Sequence, residues 1–295
     1  MKLIDLHIHT TCSDGAMTPF EIIEESKNNG VGTISITDHD TIEAYTKELF
    51  EYAKKNNINL ITGIEISTKI SKCGIHVLGY NIDINDDEFN TVLSKVRNER
   101  HNYLHKVAIK LQELGYVINL EELDKIDSVT KAHIALDIIN NKFNKNILIN
   151  IFGHIPTKGE FIETIMNENC PAYVKKESLT PKEAADLIRN ANGKVVLAHP
   201  VAYTYEDNLT IDDIQEIVDD MKPDGIEAYY IYLDRNCICH NDSKKWIEFA
   251  EKNRLFTTIG SDFHKKDNYH SLIGLINEDI IIDDKAKEKV LKILR

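Results

Sequence analysis

The chain has 295 residues, enough for one large domain or two smaller ones, and its 42% hydrophobic and 28% charged composition is that of a globular protein with a real core. A net charge of −13 argues against coating long nucleic acid, which needs basic side chains to displace counterions from phosphates. No run approaches the roughly 18 apolar residues of a membrane span, and no basic segment, apolar core and cleavage site open the chain, so neither a membrane partner nor secretion is expected.

Five scattered cysteines, Cys12, Cys73, Cys170, Cys237 and Cys239, fit a reducing cytoplasm better than a disulfide framework. Cys237-Ile238-Cys239-His240 has the residue types of a soft-metal site but no second ligand pair at zinc-finger spacing.

In chain order, Lys2-Leu3-Ile4-Asp5-Leu6-His7-Ile8-His9 predicts a strand. Alternation puts Asp5, His7 and His9 on one face and Ile4, Leu6 and Ile8 on the other. Two imidazoles side by side at a strand end can grip one ion, and neutral imidazole is the commonest metal ligand. Ser13-Asp14-Gly15 follows closely, and then Thr18-Pro19-Phe20-Glu21 predicts a capping box with proline at the first helical position and a stop at Gly30. The β-branched run from Thr33 ends in the polar cluster Thr37-Asp38-His39-Asp40, and a helix is expected from Glu43 to Asn56. Asn59 to Ile66 reads as a strand ending near Glu65, and His76-Val77-Leu78-Gly79-Tyr80 as a strand with its histidine at the start.

From about Asp86 the pattern becomes helical. Val92, Val96, Tyr103, Val107, Leu111 and Leu114 recur at helical spacing up to Gly115, and short helices are expected near Leu120–Leu123, His133–Asn140, Ile147–Phe152 and Phe161–Met166. Residues 96–174 are thus read as a helical insertion. Strand–helix alternation resumes with the capping box Thr180-Pro181-Lys182-Glu183, a strand from Val195 carrying His199, a strand Gly225–Tyr229 and a helix Trp246–Asn253. Phe256 to His264 reads as the last strand, with Asp262 and His264 on one face. Repeated βα units predict a parallel α/β sheet, open or closed into a barrel, with its chemistry at the carboxyl ends of the strands.

His7, His9, Asp14, His39, Glu65, His76, His199, Asp262 and His264 are nine candidate ligands, most of them near such ends. Six histidines with three carboxylates form a donor set that zinc, manganese and iron accept. At three protein ligands and an open position per ion, nine ligands suit two to three ions with a bridging carboxylate.

The segments DLHIHTTCSDG, ITDHDT, GIEIS, HVLGY, VVLAHP and TIGSDFH resemble, in order, the motifs of the PHP (polymerase and histidinol phosphatase) family of metal-dependent phosphoesterases. The resemblance implies a distorted (β/α)7 barrel from residues 1–95 and 175–295, with 96–174 as a cap over the substrate. It implies that His7, His9, Glu65 and Asp262 hold one ion. Glu65, bridging, would hold a second with His76 and His199, and Asp14, His39 and His264 a third. Asp14 stands where several relatives have histidine, which matches the branch with a helical insertion. That branch acts on nucleoside 3′,5′-bisphosphates and on short 5′-phosphorylated RNA. Lys131-Ala132-His133-Ile134-Ala135 resembles its Arg-Pro-His-Ile-Ala motif, with a lysine point charge in place of the arginine fork.

The expected function is hydrolysis of a phosphate monoester on a small nucleotide-like substrate, with short RNA as a further partner. Water bridging two cations would attack phosphorus in line. Asp262, His264, Glu65 and His39 would carry the chemistry, while Asp38 and Asp40 orient ligands. Arg97, Arg100, Lys131 and His133 would bind phosphate. For Arg97 and Arg100 a solvated helix face, and for Lys175 and Lys176 a surface pair, are the plainer alternatives. A histidinol-phosphate or other small-molecule phosphatase, an amidohydrolase and a non-catalytic metal- or phosphate-binding module are the competing readings.

Overall fold

The apolar alternation at the N-terminus forms strand β1 (Leu3–Ile8) in the computed structural model of the chain, which describes residues 2–126, 128–175, 177–234, 238–266, 272–276 and 282–294. Strands β2 (Val31–Ile36), β3 (Asn59–Lys69), β4 (Gly74–Tyr80), β5 (Lys194–Leu197) and β6 (Gly225–Tyr229) follow. A small antiparallel pair, β7 (Tyr232–Leu233) with β8 (Cys239–His240), precedes β9 (Phe256–Ile259).

Seven strands form one sheet in the order β1-β2-β3-β4-β5-β6-β9. Past its last strand the chain meets β1 again. Ile8 and Phe263 form a parallel bridge, His9 N donates to Phe263 O at 2.8 Å and Phe263 N to His7 O at 3.3 Å. The sheet therefore returns on itself as a seven-stranded ring, in keeping with the expected distorted barrel. Apolar side chains such as Leu6, Leu78 and Val196 fill one core cluster, and Tyr80, fully buried, donates its hydroxyl to Leu6 O at 3.0 Å.

The sheet is parallel except at β4, which runs antiparallel to both β3 and β5. This departs from the all-parallel expectation and explains why His76 lies near the start of its strand: reversing the strand brings its start to the end where its neighbours finish. Strand β3 also runs on to Lys69, because beyond Thr62 it leaves β2 and pairs with β4 as a hairpin. Glu65 consequently lies within β3, not at its end.

Other boundaries shift for local reasons. The helix expected from Glu43 starts at Lys47, where the Thr46 side chain accepts the Leu49 N–H as cap. The capping boxes at Thr18 and Thr180 both form. The last strand stops at Ile259, and Asp262 has φ 53°, so strand alternation does not govern Asp262 and His264. His199 lies beyond the end of β5 at φ 22°, capping the short helix Pro200–Glu206.

The chain divides into two compact units, residues 1–91 with 178–295, and residues 92–177. The second is helical. Its longest helix, Asp87–Glu113, begins in the first unit and buries Leu104, Val107 and Leu111 against Ile134, Ile138, Leu148 and Phe161. Leu114 lies past the helix end and is exposed. No described helix is long and apolar enough to cross a membrane.

Candidate metal centre

Strand β1 delivers His7 with its ring fully buried, and His9 follows one residue past the strand, equally buried. Around them the nine residues singled out in the sequence come together in the first unit, in three overlapping groups. His7, His9, Glu65 and Asp262 form one, His39, Glu65 and His76 a second, and His9, Asp14, His39 and His264 a third. His199 joins through Glu65, its Nε2 lying 3.1 Å from Oε1.

The spacings suit ions shared between side chains. Two donors on one tetrahedral ion at about 2.0–2.1 Å stand about 3.3 Å apart. His7 Nε2 lies 3.4 Å from Glu65 Oε1 and 3.2 Å from Asp262 Oδ1, while His9 Nε2 lies 3.2 Å from Glu65 Oε2 and 3.1 Å from Asp262 Oδ1. On the remaining sides, His76 Nδ1 is 2.9 Å from Glu65 Oε1, His39 Nδ1 is 3.1 Å from Oε2, and His264 Nε2 is 3.3 Å from Asp14 Oδ1. His7 Nε2, His9 Nε2, Asp14 Oδ1 and His76 Nδ1 are nevertheless buried without a hydrogen-bond partner. Buried polar atoms are rarely left so. Atoms that crowd together at ligand spacing without bonding one another converge on a common point, and the donor set fits divalent transition metals.

The electrostatics are those of interleaved charges. Burial alone would raise Glu65, but the imidazoles of His76, His39 and His7 hold its carboxyl well below the usual range. Asp262 is likewise held low against its burial by His7, His264 and His9, and Asp14 by His39 and His264. Burial is the main reason that His39 falls to about 3, with the neighbouring His9 and His76 adding to it.

Asp38 and Asp40 do not join the converging groups. Asp38 accepts from Thr10 N at 2.7 Å, Thr10 Oγ1 at 2.6 Å and Ser13 Oγ at 2.5 Å, pinning the loop that carries Asp14. Asp40 accepts from Ser67 N at 2.9 Å. Asp38 thus holds the segment Thr10–Ser13 and Asp40 the backbone of β3 at Ser67.

The sequence matches the PHP domain over residues 5–196, well over half of the chain. The chain belongs to the PHP domain family. Among its relatives, the 5′-3′ exoribonuclease of Haemophilus influenzae is 29% identical over 269 residues, covering 89% of this chain and 90% of that one. The 3′,5′-nucleoside bisphosphate phosphatase of Chromobacterium violaceum is 24% identical over 268 residues, covering 90% and 88%. A solved structure from Bifidobacterium adolescentis superposes with a TM-score of 0.74 at 20% identity, over 98% of this chain and 95% of that one, which shows the fold.

This PHP chain also has site residues that the sequence did not single out. Glu227 in β6 is fully buried, with both carboxylate oxygens 3.1 Å from His7 Nδ1. Tyr230 donates its hydroxyl to Asp262 Oδ2 at 3.1 Å, and the Tyr203 hydroxyl accepts from His76 N at 2.8 Å. Glu227 had a signal: a lone acid in the short apolar run Gly225-Ile226-Glu227-Ala228-Tyr229 of a sheet covered on both faces must find a buried partner.

The residues expected to bind substrate all lie in the second unit. Arg100 is buried, not on a solvated helix face, and its NH1 donates to Val129 O at 3.1 Å. Arg97 is half-buried and reaches Ser94 Oγ at 3.4 Å. Lys131 Nζ donates to Asn167 Oδ1 at 3.0 Å. His133 is the third residue of helix Lys131–Asn140 and completes a capping box, its Nδ1 accepting from Thr130 N at 3.1 Å. Lys175 is exposed beside Glu99, Tyr103 and Lys106, while Lys176 lies outside the described residues. In the cysteine segment Cys237 also lies outside them, and His240 pairs with Asp234 and stacks on Tyr205 at 3.7 Å.

Proposed function

We propose that this chain hydrolyses a phosphate ester on a nucleotide-like substrate, a nucleoside 3′,5′-bisphosphate or a short 5′-phosphorylated oligoribonucleotide, with two to three divalent manganese, zinc or iron ions. The observation that carries the reading is Glu65, whose two carboxylate oxygens stand at ligand spacing from separate imidazoles: His7, His76 and His199 at Oε1, and His9 and His39 at Oε2. A carboxylate so placed can bridge ions. The names of the exoribonuclease and the bisphosphate phosphatase support a nucleotide phosphate as substrate.

Ions at this centre would neutralise phosphoryl oxygens and make a nucleophile of water near neutral pH. His7, His9, Glu65 and Asp262 would hold one, His76 and His199 with Glu65 a second, and Asp14, His39 and His264 a third. The protein's own part is rigidity. His7, Glu65 and His76 come from paired strands, and the Asp38 carboxylate fixes the loop bearing Asp14, which limits the reorganisation left for the transition state. Lys131 and His133, on the strength of their motif, and Arg97 and Arg100, as cations on one stretch of helix, are proposed as contacts to the substrate's phosphates.

The test is a screen of chelator-stripped protein, reconstituted with manganese, zinc or iron. Its substrates are an aryl phosphate, a nucleoside 3′,5′-bisphosphate, a short 5′-phosphorylated RNA and histidinol phosphate. Metal-dependent release of phosphate or of mononucleotide is expected, with the nucleotide substrates favoured at least about tenfold in kcat/KM, the scale of one charged hydrogen bond. Preference for histidinol phosphate would replace the substrate. Metal binding without turnover of any of the four would leave a binding module.

A further inference from the structure

Glu227 is placed to govern two of the proposed ligands at once. It comes from the middle of β6, is fully buried, and among the described residues its ion-pair partner is His7 alone. Both oxygens lie 3.1 Å from His7 Nδ1, and Oε2 also accepts the backbone N–H of His199 at 2.9 Å. Gly260, just past β9, makes room for it: a Cβ there would run into Glu227 Oε1 and the His7 Cβ.

A carboxylate facing Nδ1 requires a proton there, because the carboxylate only accepts. The lone pair of the neutral ring is then on Nε2, the atom that lies 3.4 Å from Glu65 Oε1 and 3.2 Å from Asp262 Oδ1 and has no hydrogen-bond partner. The same carboxylate holds His199 through its backbone at φ 22°, a conformation disfavoured for a side chain with a Cβ and adjoining Pro200. Its burial beside a single imidazole is otherwise costly.

We infer that Glu227 is the positioning residue of the metal centre: it sets the tautomer and angle of His7 and the backbone of His199, and thereby the affinity for metal. The inference rests on the metal-centre reading above. It involves no direct contact between Glu227 and an ion.

Glu227→Gln keeps the size but removes the charge, and its amide group offers a donor where both partners need an acceptor. Zinc titrated into metal-free protein against a chelator should bind the variant about ten- to a hundredfold more weakly than wild type, the usual effect of losing a carboxylate behind a ligating histidine. Circular dichroism and urea unfolding of the metal-free proteins report folding separately. A variant that folds and binds zinc like wild type would overturn the inference, because a purely structural residue alters unfolding and leaves affinity alone. A second measurement needs no variant. In zinc-loaded wild type, ¹⁵N-resolved imidazole spectra should place the His7 proton on Nδ1, and a proton on Nε2 would overturn the inference even if Glu227→Gln fails to fold. Wild type that binds no zinc at all would instead sink the metal reading itself.

Discussion

His39 and Glu65 are joined twice: their backbones form a parallel bridge, and His39 Nδ1 lies 3.1 Å from Glu65 Oε2. Asp40 N donates to Glu65 O at 3.0 Å and Glu65 N to Asp38 O at 3.3 Å, so the chain after β2 is stitched alongside β3 where the glutamate projects. Glu65 therefore has a fixed backbone and a side chain shared among five imidazoles. Glu65→Gln should keep the fold and lose the bridge. Elemental analysis should show at least about one equivalent of metal less than wild type, and kcat should fall at least about a hundredfold, the scale of a lost electrostatic stabiliser. Unchanged metal content with near-normal turnover would exclude Glu65 as a bridging ligand.

Metal and protons should compete at this site. In the metal-free protein burial alone would lower His9, yet Asp262 and Glu65 carry it from 6.5 up to about 10. His7 is likewise raised well above its ordinary value, against its burial, by Glu227, Asp262 and Glu65. Each imidazole must shed a proton before its Nε2 can bind an ion, so loading at pH 7 releases protons and affinity should climb between pH 7 and 9. Stability runs the other way. A pKa raised on folding stabilises fully below the unfolded value near 6.5, and that contribution is lost as pH rises through about 10. Metal-free protein should thus lose Tm from pH 6.5 to 10 while zinc affinity increases. Calorimetry in buffers of different ionisation heat measures the proton release, and identical heats in all of them would contradict it.

Much of the site was legible because metal ligation needs particular side chains, and those keep their identity wherever the fold puts them. His7 and His9 could be paired from alternation alone, and the capping boxes at Thr18 and Thr180 announced their helices. Less visible was chain direction. Nothing in His76-Val77-Leu78-Gly79-Tyr80 distinguishes a parallel from an antiparallel strand, because that choice is made by the neighbours β3 and β5. Asp262 and His264 were grouped for the wrong reason: the strand ends at Ile259, and the positive φ of Asp262, with His264 Nδ1 2.8 Å from its carbonyl oxygen, brings them together. For Arg100 a solvated helix face stood open as the alternative to phosphate binding, because helical spacing does not tell which face the rest of the chain will cover.

Gly260 tests how tightly the centre is packed. Its missing Cβ is the space into which the Glu227 carboxylate and the His7 side chain fit. Gly260→Ala should destabilise the metal-free protein by about 1–3 kcal/mol, as overpacking does in a tight interior. Because the displaced groups are a proposed ligand and its hydrogen-bond partner, zinc affinity should fall as well. Urea unfolding and chelator competition read the two effects. A variant as stable as wild type would mean that the surroundings relax without strain.

His133 separates a capping role from a substrate role within one side chain. Its Nδ1 accepts the Thr130 N–H, and Thr130 Oγ1 accepts the His133 N–H at 3.4 Å. With Nδ1 accepting, the neutral ring carries its proton on Nε2, which is the atom that would donate to a phosphate oxygen. His133→Ala removes both functions. It should cost about 1 kcal/mol of stability through the lost cap, along with activity. His133→Glu keeps an acceptor at the third helical position, as in an ordinary capping box, so its stability should stay near wild type. A carboxylate has no hydrogen to donate, and a charged hydrogen bond to phosphate is worth about 1.5–3 kcal/mol. Both variants should therefore lose about ten- to a hundredfold in kcat/KM on a nucleoside 3′,5′-bisphosphate. An aryl monophosphate, with one phosphate to bind, should lose much less, and metal content should not change. Full activity of His133→Glu on the bisphosphate would make His133 a helix cap and nothing more, and would leave phosphate recognition to Arg97, Arg100 and Lys131.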